Sequence, residues 1–491
     1  MQISKSEYMM FLKHPAWLWL KKHDKTKLPP VDDNTQAVFD AGNLFESYAE
    51  QLFPGGVRLG FDNYDEYLSL PSRTTDALNK GAGTIFQGRF EHGQLTFICD
   101  IINVIGDNLV DLVEIKSSTK AKSEHIYDLA FQLVVLEHCG FTVRHISVAH
   151  VNNNFVRDGD IDAVKLTSVT DVTEAVKSKR EFTEDHIKLA LEMLESGEHP
   201  SFSPTLVGLG AFGEWMQIYK SLVDAEAGSI FDLCQLDAKL LSSLESSNIT
   251  KVVDIPEDFV LKPKQALQVE ATRLGLPTIH SDKIANYLAT FEYPLYFFDY
   301  ETLSGVVPYF DGLRPYCQLP FQYSLHILDE PGAELRHVEY LHRENSNPAE
   351  PLSKILKSHI GTKGSVITWN MGFEKSCNTL IGSLVSEYNE FYEQLNGRIV
   401  DLMIPFSKNW YVDGAFKGSA SIKSVLPVLV PALSYKTLGI QEGAGAQRLW
   451  MEAVLDGKRA DQKERILSDL VEYCGLDTLA MVEIFKVLSK V

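Results

Sequence analysis

The sequence predicts an α/β protein in which two sheet-containing domains are joined by a short helical connector. Three observations predict it. The chain has 491 residues, too many for one hydrophobic core, so two or three domains are expected. Between residues 84 and 151 a hairpin, a strand, a helix and another strand follow one another. From Pro294 to Leu303 runs a short apolar and aromatic strand with two acids near its end. The expected domains are 1–197 and 289–491, with the connector at 198–288.

Composition narrows the function classes. The formal net charge is −20. Affinity for a nucleic-acid backbone comes from Lys and Arg, so tight, indiscriminate DNA coating is disfavoured, while an enzyme with a local basic groove is not. Part of the acid excess is expected in metal sites. No apolar run reaches the ~18 residues of a membrane span, and the N-terminus lacks the layout of a signal peptide. A cytoplasmic protein with no membrane partner is expected. The six cysteines stand singly, without a Cys-x-x-Cys pair, and read as reduced and mostly buried.

Residues 4 to 20 open on a capping Ser and an amphipathic helix, which Pro15 breaks or restarts. The basic run Lys21 to Lys27 is either a solvated loop or a phosphate contact. A helix from Ala37 to Phe53 carries Glu46 and Glu50 four apart on one face. The runs Thr84 to Phe90 and Leu95 to Val104 read as a hairpin turning at His92-Gly93, with Asp100 in its second strand. Leu109 to Lys116 is a third strand, in which Glu114 and Lys116 share a face. Ile126 to Cys139 is helical, with Gln132 among inward leucines. His145 to Val151 is a further strand whose histidines read as structural, and Thr183 is a plausible N-cap for a closing helix.

Asp100, thirteen residues, Glu114-Ile115-Lys116 and then a helix bearing Gln132 resemble the PD-(D/E)XK nuclease core, its RecB-like branch in particular. The resemblance implies that Asp100, Glu114 and the Ile115 carbonyl bind metal. Lys116 would polarise water or the scissile phosphate, and Gln132 would orient the lysine or touch substrate. Glu46 stands roughly where that branch often has a His or acid ligand. The bland alternative is a strand with a surface Glu/Lys pair.

Gly197 to Pro204 is the clearest linker. The short helices up to about Thr290 either connect domains or hold a nucleic-acid backbone.

In the strand Pro294 to Leu303, Asp299 and Glu301 point to one face. Two adjacent carboxylates repel, and a hard cation such as Mg²⁺ or Mn²⁺ removes that penalty. Val366 to Glu374 reads as a strand entering a helix with a carboxylate just inside, and Leu470 to Ala480 as a helix with Tyr473 and Asp477 on one face. Asp299, Glu301, Glu374 and Asp477 would suit two metals ~3.5–4 Å apart, as used for in-line phosphoryl displacement, with Tyr473 orienting the attacking water. These segments resemble the motifs of DEDD-type exonucleases, which have a ribonuclease H-like fold, in the tyrosine subclass. The histidine subclass would want a His where Glu472 stands, and the second motif usually has Asp where Glu374 stands. Asp401 is either an outer support for the metal site or a structural cap. Lys423 either meets substrate phosphates or is solvated.

Arg314-Pro315-Tyr316, Phe321 to His326, Gly418 to Pro427 and the Tyr473–Thr478 helix also resemble the bacterial family called domain of unknown function 2779, over roughly 200–491. A RecB-like domain often precedes it. Relatives commonly carry a cysteine cluster, whereas this chain has His14-Pro15 and a single middle cysteine, Cys234. The expectation is a two-headed nuclease dependent on Mg²⁺ or Mn²⁺, acting on DNA in preference to RNA, in repair or phage defence. Its rival is a nucleic-acid-binding or scaffold protein with one or both sites inactive.

Overall fold

The first helix begins where its cap predicts. In the computed structural model, which describes residues 1–491, the Glu7 N–H donates to the Ser4 hydroxyl and the Ser4 N–H to the Glu7 carboxylate. This capping box opens helix α1 (Lys5–Lys13). His14 is extended, and Pro15 starts the next helix at its first position, where a missing N–H goes unnoticed.

The chain forms two compact units. One comprises Met1–Ala225, Asp237–Ser242 and Val306–Tyr316; the other comprises Glu226–Leu236, Ser243–Gly305 and Cys317–Val491. The expected connector is not a body of its own, and its residues divide between the two.

The first unit holds a six-stranded sheet. From an edge pair at Val57–Arg58 it runs through β1 (Thr84–Phe86), β2 (Ile101–Gly106), β3 (Leu109–Lys116), β4 (Thr142–Val151) and β5 (Thr167–Asp171). Neighbours from β1 to β3 are antiparallel, β3 and β4 are parallel, and β4 and β5 are antiparallel. Helix α3 (Ser123–His138) makes the crossover between β3 and β4, the connection that a parallel pair requires. Helix α2 (Asp33–Ala49) precedes the sheet.

The expected hairpin is only half right. Each arm breaks into two strands, at Gln87-Gly88 and at Cys99-Asp100. The outer halves, Arg89–His92 and Leu95–Ile98, pair with each other, and Ile3–Ser4 joins them in a separate three-stranded sheet. Gln87 takes a positive φ of 55°. The Gln87 N–H donates to the Asp100 carbonyl and the Cys99 N–H to the Gly88 carbonyl, so the ribbon stays paired while it bends. Asp100 therefore sits at the bend and not within a strand. Thr183 is likewise buried inside a helix that begins at Arg180, and caps nothing.

Two cores flank this sheet. Ile3, Tyr8 and Phe11 pack with Leu129, Phe131 and Leu133 of α3. Phe45 and Ala49 of α2 pack with Ile115, Ala149 and Val151, and Val306 and Val307 complete that cluster.

The second unit is a mixed α/β layer structure. Its sheet has the order β8-β7-β6-β9-β10, with β6 (Leu295–Leu303) central, β7 (Leu319–Leu328), β8 (Arg336–Leu341), β9 (Val366–Thr368) and β10 (Ile399–Asp401). The β6/β7 and β7/β8 pairs are antiparallel, while β6, β9 and β10 run parallel. Helix α4 (Met371–Leu384) follows β9, and α5 (Gly443–Trp450) precedes the long α6 (Lys463–Leu488). The Gln322 side chain on β7 donates to the Leu470 carbonyl of α6 and ties helix to sheet. No helix is long and apolar enough to cross a membrane.

Candidate active sites

In the first unit, β3 and α3 bring the expected residues together. Lys116 Nζ lies 2.7 Å from Glu114 Oε1 and 2.8 Å from Asp128 Oδ2. Gln132 Nε2 donates to Glu114 Oε2 at 2.7 Å and to Asp128 Oδ1 at 3.1 Å. Asp100 reaches β3 from its bend and accepts the Ile115 N–H at 2.7 Å. Two members were not foreseen. Asp128 lies one turn before Gln132 on the same helix face, a signal that the spacing did offer. Lys5, at the first position of α1, lies 2.8 Å from Glu114 Oε1 and 4.0 Å from Asp100 Oδ1, and nothing local in the sequence points to it.

Electrostatics divide the two ligand candidates. Burial and then the neighbouring Glu114 charge push the Asp100 carboxyl up to about 7. Burial acts on Glu114 in the same direction, but the Lys116 and Lys5 charges outweigh it and hold Glu114 well below the usual range. Lys116 is held fully protonated, because Glu114, Asp128 and Asp100 overcome its own desolvation. Gln132 Oε1 is buried with no hydrogen-bond partner. An unpaired buried acceptor is rare; the Nε2 of the same amide is the atom that meets the two carboxylates.

Glu46 is held differently. Its carboxylate accepts from Gln87 Nε2 at 2.7 Å and pairs with Arg58, which also binds Glu50. Its partners are thus residues other than Asp100 and Glu114.

In the second unit, Asp299 and Glu301 lie on β6, Glu374 in the first turn of α4, and Tyr473 and Asp477 on α6. Asp299, Glu301, Tyr473 and Asp477 line a cavity of about 360 Å³ with Lys423 and Trp369. Burial, followed by the charges of Asp477, Glu301 and Glu374, drives Asp299 well above its ordinary value. Burial and then Asp477 do the same to Glu301. Burial takes Glu374 up to about 8 and Asp477 up to about 6, the latter moderated by the Tyr435 hydrogen bond. Glu374 is 1% exposed, and its Oε2 has no hydrogen-bond partner. The repulsion of Asp477, Glu301 and Glu374 on Asp299 and the orphaned Glu374 oxygen fit hard divalent cations.

The tightest group of possible ligand atoms is Asp299, Glu301 and Cys474, all within 4.8 Å of one another; Glu374 and Asp477 lie outside that set. Tyr435 was also not foreseen: its hydroxyl donates to Asp477 Oδ1 at 2.6 Å from 42 residues away. Lys423 Nζ donates to the Gln441 carbonyl and lies 5.7 Å from the ring centroids of Tyr435 and Tyr473. Asp401 resolves as a cap. Its oxygens accept the N–H groups of Asn370, Met371 and Met403, which fixes the start of α4.

His14 is buried. It accepts the Ala16 N–H, meets the Ser203 carbonyl and stacks on Trp215 at 3.9 Å. All six cysteines are free; Cys99, Cys377 and Cys474 are buried and the other three partly so.

The sequence has relatives. The family model described as domain of unknown function (DUF2779) matches residues 296–421, the stretch holding Asp299, Glu301 and Glu374. The chain is also similar to an uncharacterized protein, MG366, of Mycoplasma genitalium, at 25% identity over 210 residues, covering 38% of this chain and 31% of that protein. Its homolog in Mycoplasma pneumoniae is 25% identical over 208 residues, with the same coverage. The chain thus spans less than a third of the length of these curated relatives.

Proposed function

We propose that the protein is a nuclease dependent on Mg²⁺ or Mn²⁺ that hydrolyses phosphodiester bonds of nucleic acid, DNA in preference to RNA, at two separate sites. The observation that carries the reading is the second unit's cluster of buried, mutually repelling carboxylates around Asp299. Such an arrangement is unfavourable unless cations occupy it. The sheet order with one antiparallel start and a parallel continuation supports a ribonuclease H-like reading of this unit. The β3–α3–β4 crossover beside Asp100, Glu114 and Lys116 supports a PD-(D/E)XK reading of the first.

In the first unit Asp100 and Glu114 would hold the metal. Lys116, kept protonated by Glu114 and Asp128, offers its ammonium to a phosphate oxygen or to the attacking water. Gln132 fixes Glu114 and Asp128 relative to one another. In the second unit Asp299, Glu301, Glu374 and Asp477 would hold metal, the Tyr473 hydroxyl orients water, and Tyr435 fixes the Asp477 carboxylate. The metal, when bound, takes charge off the phosphodiester and makes water a better nucleophile. DNA repair or phage defence is the proposed setting.

Labelled single- and double-stranded DNA and RNA, incubated with Mn²⁺ and the chain or its Asp100→Ala and Asp299→Ala variants, test this. Each variant is expected to lose one class of product. Binding without cleavage under any metal would favour the alternative of a nucleic-acid-binding or scaffold protein.

A further inference from the structure

The first unit's cluster carries more positive charge than its one expected lysine supplies. Glu114 Oε1 meets two ammonium groups, Lys116 at 2.7 Å and Lys5 at 2.8 Å. Lys5 also faces Asp100 at 4.0 Å, so its ammonium stands between the two carboxylates read above as metal ligands. It is fixed there. Ser4 caps the helix that Lys5 begins, Ile3 pairs with Leu95, and Tyr8 and Phe11 are packed against α3. The backbone that carries Lys5 is thus anchored beside the cluster.

Charge then limits what else the cluster takes. With Asp100 ionised, as a metal ligand would be, Asp100, Glu114 and Asp128 against Lys5 and Lys116 leave one net negative charge. One divalent ion turns this into a single positive charge, which suits an anionic phosphodiester. A second ion would leave three positive charges around Glu114, which is 1% exposed, and repulsion there is poorly screened. The second unit differs: Asp299, Glu301 and Asp477 line one cavity with a single lysine, Lys423.

We propose that Lys5 fills the second cation position of the first unit's site, so that this site binds one divalent ion. The inference rests on the nuclease reading of the first unit, and its test separates the two.

The full chain carrying Asp299→Asn and Glu301→Gln, which disable the second site, is titrated with Mn²⁺ alone, and bound ions are counted from the loss of the free Mn²⁺ electron paramagnetic resonance signal. One bound ion is expected, abolished by adding Asp100→Asn. Lys5→Met, of similar reach without the charge, is expected to admit a second ion, and Lys5→Arg to keep the count at one. Two ions with Lys5 intact, or an unchanged count in folded Lys5→Met, overturn this inference and leave the nuclease reading standing. No bound ion in any of these chains overturns both. Should Lys5→Met fail to fold, the count with Lys5 intact still decides.

Discussion

Among single residues, those that share a strand or a helix face were readable, and those delivered by tertiary packing were not. Periodicity put Glu114 and Lys116 on one face of a strand, and the resemblance to the PD-(D/E)XK core joined Gln132 to them. Lys5 reaches Glu114 across 109 residues, and Tyr435 reaches Asp477 across 42. No local pattern encodes either approach. Tyr473 belongs to the readable group, four residues before Asp477 on α6. Replacing it with Phe removes the hydroxyl proposed to orient water, and positioned proton-handling groups are typically worth roughly 10²–10⁴-fold in rate. Tyr473→Phe is therefore expected to slow the Asp299-dependent product by about 10²-fold, measured as single-turnover cleavage, with Asp100-dependent product unchanged. A rate within twofold of the parent would remove Tyr473 from the mechanism.

At the scale of elements, apolar runs bounded by turn residues were the most legible. β3 was expected at Leu109 to Lys116 and is found there; β6 was expected from Pro294 and begins at Leu295. The hairpin at 84–104 was legible as a paired ribbon but not as one shared between two sheets, because alternation continues across the bend while the backbone does not. Asp401 shows how one side chain serves an element. It caps the start of α4, the helix that carries Glu374. Asp401→Ala is expected to lower stability by about 1 kcal/mol and, by loosening α4, to weaken Mn²⁺ uptake by the second unit. Asp401→Asn, which keeps an acceptor, should lose less. Thermal melts with and without Mn²⁺ read both effects; equal melts for Asp401→Ala and the parent would contradict the capping role.

For the whole molecule, the division into units follows contacts that sequence order hides. Residues 306–316 come between strands of the second unit's sheet, yet they belong to the first unit. Arg157 donates to the Pro308 and Tyr309 carbonyls, and the Tyr316 hydroxyl binds the Ser117 carbonyl next to β3. Val306 and Val307 are buried against Phe45, Ile115 and Val151. Truncating a buried apolar side chain costs roughly 0.8 kcal/mol per methylene-sized group plus a cavity penalty. Val306→Ala with Val307→Ala in the full chain is expected to speed amide hydrogen exchange of β3 and β4. Unchanged exchange there would show that this segment adds nothing to the first unit.

Protons and metal compete across the molecule as well. Folded and metal-free, Asp100, Glu374 and Asp477 hold protons up to about pH 7, 8 and 6, whereas unfolded carboxyls release theirs near pH 4. The folded chain thus binds more protons between about pH 4 and 8, and these groups' contribution to stability falls as pH rises through that window. Divalent ions replace those protons, so Mn²⁺ is expected to raise Tm more at pH 8 than at pH 6. A gain that is the same or larger at pH 6 would contradict the pairing of these acids with metal.

The central claim is that two separate acid clusters each support phosphodiester hydrolysis. The most direct measurement is the product profile of the intact chain, Asp100→Ala, Asp299→Ala and the double variant on labelled DNA in Mn²⁺. Two classes of product are expected, each lost with its own variant, and none from the double variant. An intact chain that leaves DNA and RNA uncut in every metal, or a double variant that cuts as well as the parent, would contradict it.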